Sequence, residues 1–423
     1  MNLLAAAADI GAIVAAAWFM LPAFRRTGLG IWHPALAWLV LEVIFFGAGA
    51  AILAITDGRT DPAIYVGGVL LVFGLAVRGS DRFAQSRLRR ADPPDTATTR
   101  SLPDEPDPIR TGVVVALVAV GVAALVPTLV AVGIPFLAGD ITGARSEIGG
   151  LDLQLLRVAL PAAVLVAVLV AVRSGDRRSR LIAIAAFAMA VAAELALASR
   201  YLSAELVAAT ILGLGIGRRP VPARALAVVG IVAAVIFVTV GILRAYDQAA
   251  GHEVDFALDR TINRVLLIEP RTLDALQTAI PAEQPFFGGL TWLRRLAPLF
   301  GRDDLPNLGY WIYPRLFPDQ VTPGYAAPGL IGEAWANFGW AGLAIFAALG
   351  LAVERLAALV ALRRRSIADI VAAALVTLFV ARTHALGLDG LAVVVALVIG
   401  WRVAAAPLDG LGADLRRTVS WQT

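Results

Sequence analysis

Apolar blocks of 15 to 25 residues recur along this chain, and short stretches rich in arginine, glycine and proline separate them. A helix of that length crosses a bilayer. The blocks fall at roughly 3–23, 34–55, 63–77, 111–134, 153–172, 181–198, 202–217, 225–243, 330–353, 367–381 and 387–401. Amphipathic periodicity inside them is weak, as for helices that face lipid on one side and protein on the other. The short alternating segments of a β-barrel are missing, and lipid offers the backbone no outside partner, so helices are the open choice. The pattern predicts an all-α polytopic integral membrane protein of about eleven transmembrane helices, with one large extracytoplasmic helical loop between helices 8 and 9.

Arginine placement sets the expected orientation. With the N-terminus outside and the C-terminus in the cytoplasm, the inner segments 24–33, 78–110, 173–180, 218–224, 354–366 and 402–423 hold 23 of the 36 arginines. The short outer loops hold one each, Arg59, Arg145, Arg200 and Arg382, as the positive-inside rule requires. The first apolar block lacks a basic flank and a small-residue cleavage site, and reads as a retained helix.

The segments that follow are helices 1–77, a cytoplasmic linker 78–110, central helices 111–243, the outer loop 244–329, helices 330–401 and a cytoplasmic tail 402–423. Proline and charge in Asp92-Pro93-Pro94-Asp95 and Pro103–Pro108 make 78–110 a flexible connection. The loop 244–329 is different. It carries amphipathic stretches, aromatics that include Phe286, Phe287, Trp292, Tyr310, Trp311, Tyr313 and Tyr325, and eight arginines. It reads as short helices, partly lying on the membrane surface and capping the bundle; loops this long are usually functional.

Composition narrows the chemistry. The chain is 59% hydrophobic and 16% charged with mean hydropathy +0.78, against about 25% charged in a soluble domain. It has no cysteine, which excludes disulfides and thiolate chemistry, and all 36 basic residues are arginine, which excludes lysine-based nucleotide loops and Schiff bases. The arginines follow membrane sidedness rather than forming a basic face, so nucleic acid is not an expected partner. Three scattered histidines, His33, His252 and His384, do not make a zinc site, and no metal or cofactor is expected.

The polar candidates cluster towards the outer side. Arg145 follows Gly133-Ile134-Pro135-Phe136-Leu137, Arg200 sits in a tight turn, Arg244 ends the eighth block, and Arg264 and Arg271 follow on the large loop. A diphosphate borne by a lipid lies at that depth, and the planar guanidinium binds two phosphate oxygens at once. Such a clamp can also stabilise charge on a diphosphate leaving group. Glu333 is the leading carboxylate. It shares a helix face with Asn337, four residues on, and a carboxyl among apolar neighbours suits a general base. Trp335 could stack on a sugar, as could Trp340, although tryptophan at a membrane interface commonly serves as a belt. His252, Arg382 and His384 are further outer groups able to meet a substrate. Glu42 and Glu194 lie within blocks, where ionisable groups are functional suspects.

Three elements resemble, in order, the O-antigen polymerase family of oligosaccharide repeat-unit polymerases: Gly133–Leu137 running on to Ala144-Arg145, Ser199-Arg200 at a tight turn, and Gly332-Glu333-Ala334-Trp335-Ala336-Asn337-Phe338-Gly339 after the large loop. They cover about 200 residues. The third has Trp335 where tyrosine is usual, and the first lacks basic neighbours. The resemblance implies a GT-C-like, metal-independent glycosyltransferase of the bacterial cytoplasmic membrane. Its substrate would be a polyprenyl-diphosphate-linked oligosaccharide, specifically on undecaprenyl diphosphate. It would transfer the growing chain to a new lipid-linked unit at the outer face, making a cell-surface polysaccharide. Arg145, Arg200 and Arg244 would bind diphosphate and Glu333 would act as base or orient the acceptor. Partners would be the bilayer and other assembly proteins such as a flippase and a chain-length regulator. A related O-antigen ligase, another lipid-linked glycosyltransferase, and a non-enzymatic glycan or lipid transporter remain as alternatives.

Overall fold

The computed structural model describes residues 2–88, 108–135, 150–197, 200–217, 231, 235, 239, 263, 266–294, 305–318, 324–363, 367–385 and 387. Among them the only regular elements are helices. Four are long and apolar enough to cross a membrane: Leu3–Thr27, Pro34–Thr56, Asp61–Ser80 and Gly329–Ala358, and shorter apolar helices accompany them. The predicted blocks at 225–243 and 387–401 lie almost wholly outside the described residues, as do the tail and 89–107 of the predicted linker 78–110, whose two ends are helical rather than flexible connection.

The chain forms two compact units, each discontinuous in sequence. The first joins Met1–Asp95, Ile262–Ala361 and Phe379–Ala392; the second joins Thr96–Thr261, Leu362–Leu378 and Val393–Thr423. In the second unit, helices α4 (Pro108–Val132), α5 (Gly150–Ser174), α6 (Arg177–Ala196) and α7 (Arg200–Ile216) pack together. Glycine makes this close: Gly121 of α4 faces Leu160 and Gly213 of α7 faces Leu165, and a Cβ at either position would strike that leucine. Asp176 caps α6, accepting the Ser179 N–H at 2.8 Å.

The first unit is built on α1 (Asn2–Thr27), α2 (Pro34–Thr56) and α3 (Asp61–Leu88). Arg25 and Arg26 in the last turn of α1 complement its dipole. His33 caps α2 by accepting the Ala35 N–H at 3.2 Å, and Pro34 occupies the first turn, where its missing N–H costs nothing. Gly67 and Gly74 of α3 face Ala12 and Ala16 of α1, the small-residue contact typical of membrane helices. A π-helical turn, Val43–Gly47, interrupts α2 just after Glu42.

Two departures from the sequence pattern shape the rest of this unit. The block 330–353 is not one straight helix. It is α10 (Gly329–Phe338), a 3-10 turn (Gly339–Gly342) and α11 (Leu343–Arg363). Gly339 breaks the run at φ 56° and ψ −132°, a backbone open to glycine alone among ordinary residues. In a straight helix residues 334 and 342 would be about 12 Å apart. Instead a Cβ at Gly342 would lie 2.7 Å from the Ala334 carbonyl oxygen, so α10 folds back on the start of α11.

The second departure concerns the large loop. Its described part contains α8 (Ile268–Ala279), a 3-10 turn (Leu290–Leu293) and α9 (Leu308–Leu316). Helix α8 packs on the body of α2. Its leading end is pressed against Gly49 of α2, where a Cβ would collide with the Leu266 carbonyl and lie 2.7 Å from Pro270. Gly49 is seven residues, about 10 Å, below the Thr56 end of α2. The start of α10 is seated deeper still. Leu330 N–H donates to the Thr383 carbonyl at 2.6 Å, and Thr383 in turn meets Trp38 and Glu42 of α2. Both α8 and α10 therefore begin beside the body of α2 rather than at its end.

Candidate functional site

Glu333 sits on the second turn of α10, half-buried, and its surroundings come from three separate stretches of chain. The Trp292 indole N–H donates to Oε2 at 2.9 Å. Gly387 lies against the carboxylate so closely that a Cβ there would strike both oxygens. The adjoining turn 382–385 abuts Gly329, the first residue of α10.

Helix ends leave carbonyls without internal partners, and at the end of α10 the loop supplies them. Phe287 N–H donates to the Ala336 carbonyl at 3.1 Å and Gly288 N–H to the Asn337 carbonyl at 3.0 Å. The Asn337 side chain adds two more ties: Oδ1 accepts the Gly289 N–H at 2.9 Å, and Nδ2 donates to Thr291 Oγ1 at 2.6 Å. Gly288 and Gly289 have φ of 60° and 92°, the left-handed conformation this turn requires. The loop is thereby held where Trp292 reaches Glu333.

Asn337 and Trp335, both expected to touch substrate, are engaged within the protein. Asn337 is buried and clamps the loop. Trp335 is 9% exposed, donates to the Ile280 carbonyl at 3.3 Å and meets Tyr65, Phe286 and Trp340 edge-on. Replacing Asn337 by Ala should destabilise the protein by about 1–3 kcal/mol, since it leaves buried partners unmatched, and should expose the 286–293 loop to protease. Thermal unfolding in detergent and limited proteolysis check this; wild-type values in both would remove the clamp role.

Arg145, Arg244, His252 and Arg264 lie outside the described residues. Arg200 opens α7, and its side chain and that of Glu194 are likewise not described. Arg382 and His384, read from the sequence as outer-turn groups, are buried, and the His384 ring stacks on Phe45 at 3.9 Å with an interplanar angle of 3°. Arg271 is exposed on α8, but on the face away from Glu333. Leu276 of that helix packs on Gly332, whereas Arg271, Asp274 and Thr278 line a cleft of about 390 Å³ with Asp57, Arg59 and Arg315.

In this cleft Arg59 pairs with Asp274 at 3.7 Å, and Arg315 pairs with Glu283 at 2.9 Å while covering Trp311 at 4.0 Å. Partial burial raises the Asp274 carboxyl above its ordinary range, with Arg59 opposing. The Arg271 side chain makes no hydrogen bond or ion pair with the described residues. It is a guanidinium open to an anionic ligand.

No cluster of three or more metal-ligating side chains occurs among the described residues. Trp292, Thr291 and Gly387 were not singled out by the sequence, because their roles depend on contacts 41 to 54 residues away in the chain. Compared with known proteins, the chain matches no family model, no curated protein and no solved structure.

Proposed function

We propose that this chain is a metal-independent glycosyltransferase of the bacterial cytoplasmic membrane, with its N-terminus outside, which joins polyprenyl-diphosphate-linked oligosaccharides into a cell-surface polysaccharide. The observation that carries the reading is the Glu333 carboxylate. It is held by an indole N–H on a helix that folds into the outer half of the unit, within the segment that resembles the repeat-unit polymerases. In the proposed step a hydroxyl of the acceptor sugar attacks the anomeric carbon of the donor. Its proton passes to Glu333, the bond from that carbon to the diphosphate oxygen breaks, and the lipid diphosphate leaves with the bonding electrons. Arg145, Arg200 and Arg244 would hold that diphosphate, with Arg264 and Arg271 as further anion-binding candidates.

A second reading, a transporter of lipid-linked glycan, gains from two observations. One is the helix broken at Gly339. The other is the set of ionisable groups buried in the first unit: Asp9, whose two oxygens have no hydrogen-bond partner among the described residues, Glu42, and His33 beside Glu354 at 3.2 Å. Broken helices and buried charge near the midplane are features of transporters.

Deleting the gene and measuring lipid-linked and surface glycan by gel and mass spectrometry separates these readings. Single repeat units left on the outward-facing lipid are expected. Full-length chains retained on lipid would assign a ligase, inward-facing units a transporter, and unchanged glycan would defeat all three. In complementation, Arg145→Ala and Arg200→Ala are each expected to abolish elongation while membrane insertion stays normal. Wild-type glycan length in both would remove the diphosphate clamp.

A further inference from the structure

We propose that Glu42 is a proton-binding site in the membrane core, a neutral carboxylic acid that seats the turn 382–385 beneath the first turn of α10. The inference stands on the surroundings of Glu42 and does not depend on glycan transfer.

The Glu42 side chain is fully buried. Its Oε1 lies 2.6 Å from Thr383 Oγ1, which also receives the Trp38 indole N–H at 2.8 Å. An indole N–H can only donate and a threonine hydroxyl carries a single proton. Trp38 therefore donates to Thr383, and with no proton on Oε1 Thr383 donates to Glu42. The other oxygen, Oε2, has no hydrogen-bond partner among the described residues.

Among the described residues, neighbouring elements place no charged partner on Glu42. Asp9 on α1, Arg78 on α3, Glu269 on α8, Glu354 on α11, and Arg382 and His384 in the turn make no hydrogen bond or ion pair with Glu42. An ionised Glu42 would be a buried charge with one neutral hydrogen bond, a state far costlier than the protonated acid. With a proton on Oε2, the Oε1 carbonyl remains free to accept from Thr383.

The site also has a mechanical role. Trp38, Glu42 and Phe45 follow at spacings of four and three, so they share one face of α2. All three grip the turn, the first two at Thr383 and Phe45 at the His384 ring. The π-helical turn begins at Val43, directly beside Glu42, and such turns recur at functional sites. On its other side the turn holds Leu330 through the Thr383 carbonyl, one helical turn before Glu333. Loss of the proton would draw Glu42 towards water and loosen this seat.

The full-length protein in detergent at neutral pH provides the test. Infrared difference spectra between wild type and Glu42→Gln are expected to show loss of a protonated-carboxyl C=O band. N,N′-dicyclohexylcarbodiimide is expected to modify Glu42: the acid proton moves to a carbodiimide nitrogen as the carboxyl oxygen adds to the central carbon. The resulting O-acylisourea rearranges to a stable N-acylurea, found by peptide mapping in wild type and not in the variant. Gln preserves the acceptor oxygen and the shape, so Glu42→Gln should unfold near the wild-type temperature and Glu42→Ala well below it. Loss of a carboxylate band in place of the protonated one would overturn the proposal. A Glu42→Gln variant as unstable as Glu42→Ala would overturn it equally.

Discussion

Glu333→Gln is expected to lower glycan elongation by at least about 100-fold, the lower bound for losing a general base, while the unfolding temperature stays close to wild type. The two halves of that result belong together. Gln retains an oxygen that can accept from Trp292, so the bond at 2.9 Å survives. It also fits the same space over Gly387. What it lacks is the capacity to take a proton near neutral pH. Chain length on the lipid carrier and thermal unfolding, measured on one preparation, separate chemistry from folding. Near-full elongation would reassign Glu333 to structure. Lost elongation with lost stability would make it part of the α10 scaffold rather than the base.

Gly329→Ala should destabilise the first unit by roughly 2–5 kcal/mol. Two costs add. Gly329 has φ +57°, where an L-residue carries about 1–2 kcal/mol of strain. Its Cβ would also run into the His384 carbonyl, and overpacking against fixed backbone costs about 1–3 kcal/mol. Gly30 is the internal control. It has the same φ, +57°, with nothing within 4 Å of its Cβ position. Gly30→Ala should therefore show the strain without the collision. Denaturation of the two variants in detergent gives the comparison, and equal losses would mean that the seat of α10 on the turn 382–385 is not tight. Because Leu330 and Glu333 are on adjoining turns, Gly329→Ala should also impair function where Gly30→Ala does not.

Several features followed from residue order alone. Apolar blocks of membrane length predicted helices at 3–23, 34–55 and 63–77, and helices span Asn2–Thr27, Pro34–Thr56 and Asp61–Leu88. Length and hydropathy suffice here because a helix satisfies its own backbone and needs no knowledge of its neighbours. Helical spacing placed Glu333 and Asn337 on one face, and Asn337 Nδ2 does reach the Glu333 carbonyl at 2.8 Å. The same local rules could not see what binds that face. Trp292 is 41 residues from Glu333, and Thr383 is 341 from Glu42; hydropathy reports that a side chain leaves water, not which partner it finds.

Tertiary structure alone broke the 330–353 block. Gly339 permits the turn, but the turn forms because Phe287 and Gly288 N–H groups take the carbonyls that a continuing helix would have used. It likewise decided which side of α8 does what. The sequence grouped Arg271 with Glu333 because both were expected near the outer boundary. The helix separates them, since Leu276 packs on Gly332 while Arg271 turns to the cleft with Arg59 and Arg315. The sequence by itself determined a helical chain of membrane length and a carboxylate–amide pair on one face. Long-range contacts decided the depth of that pair, the indole that holds its carboxylate and the buried acid beneath it, because register between distant segments is set by packing and hydrogen bonding rather than by local pattern.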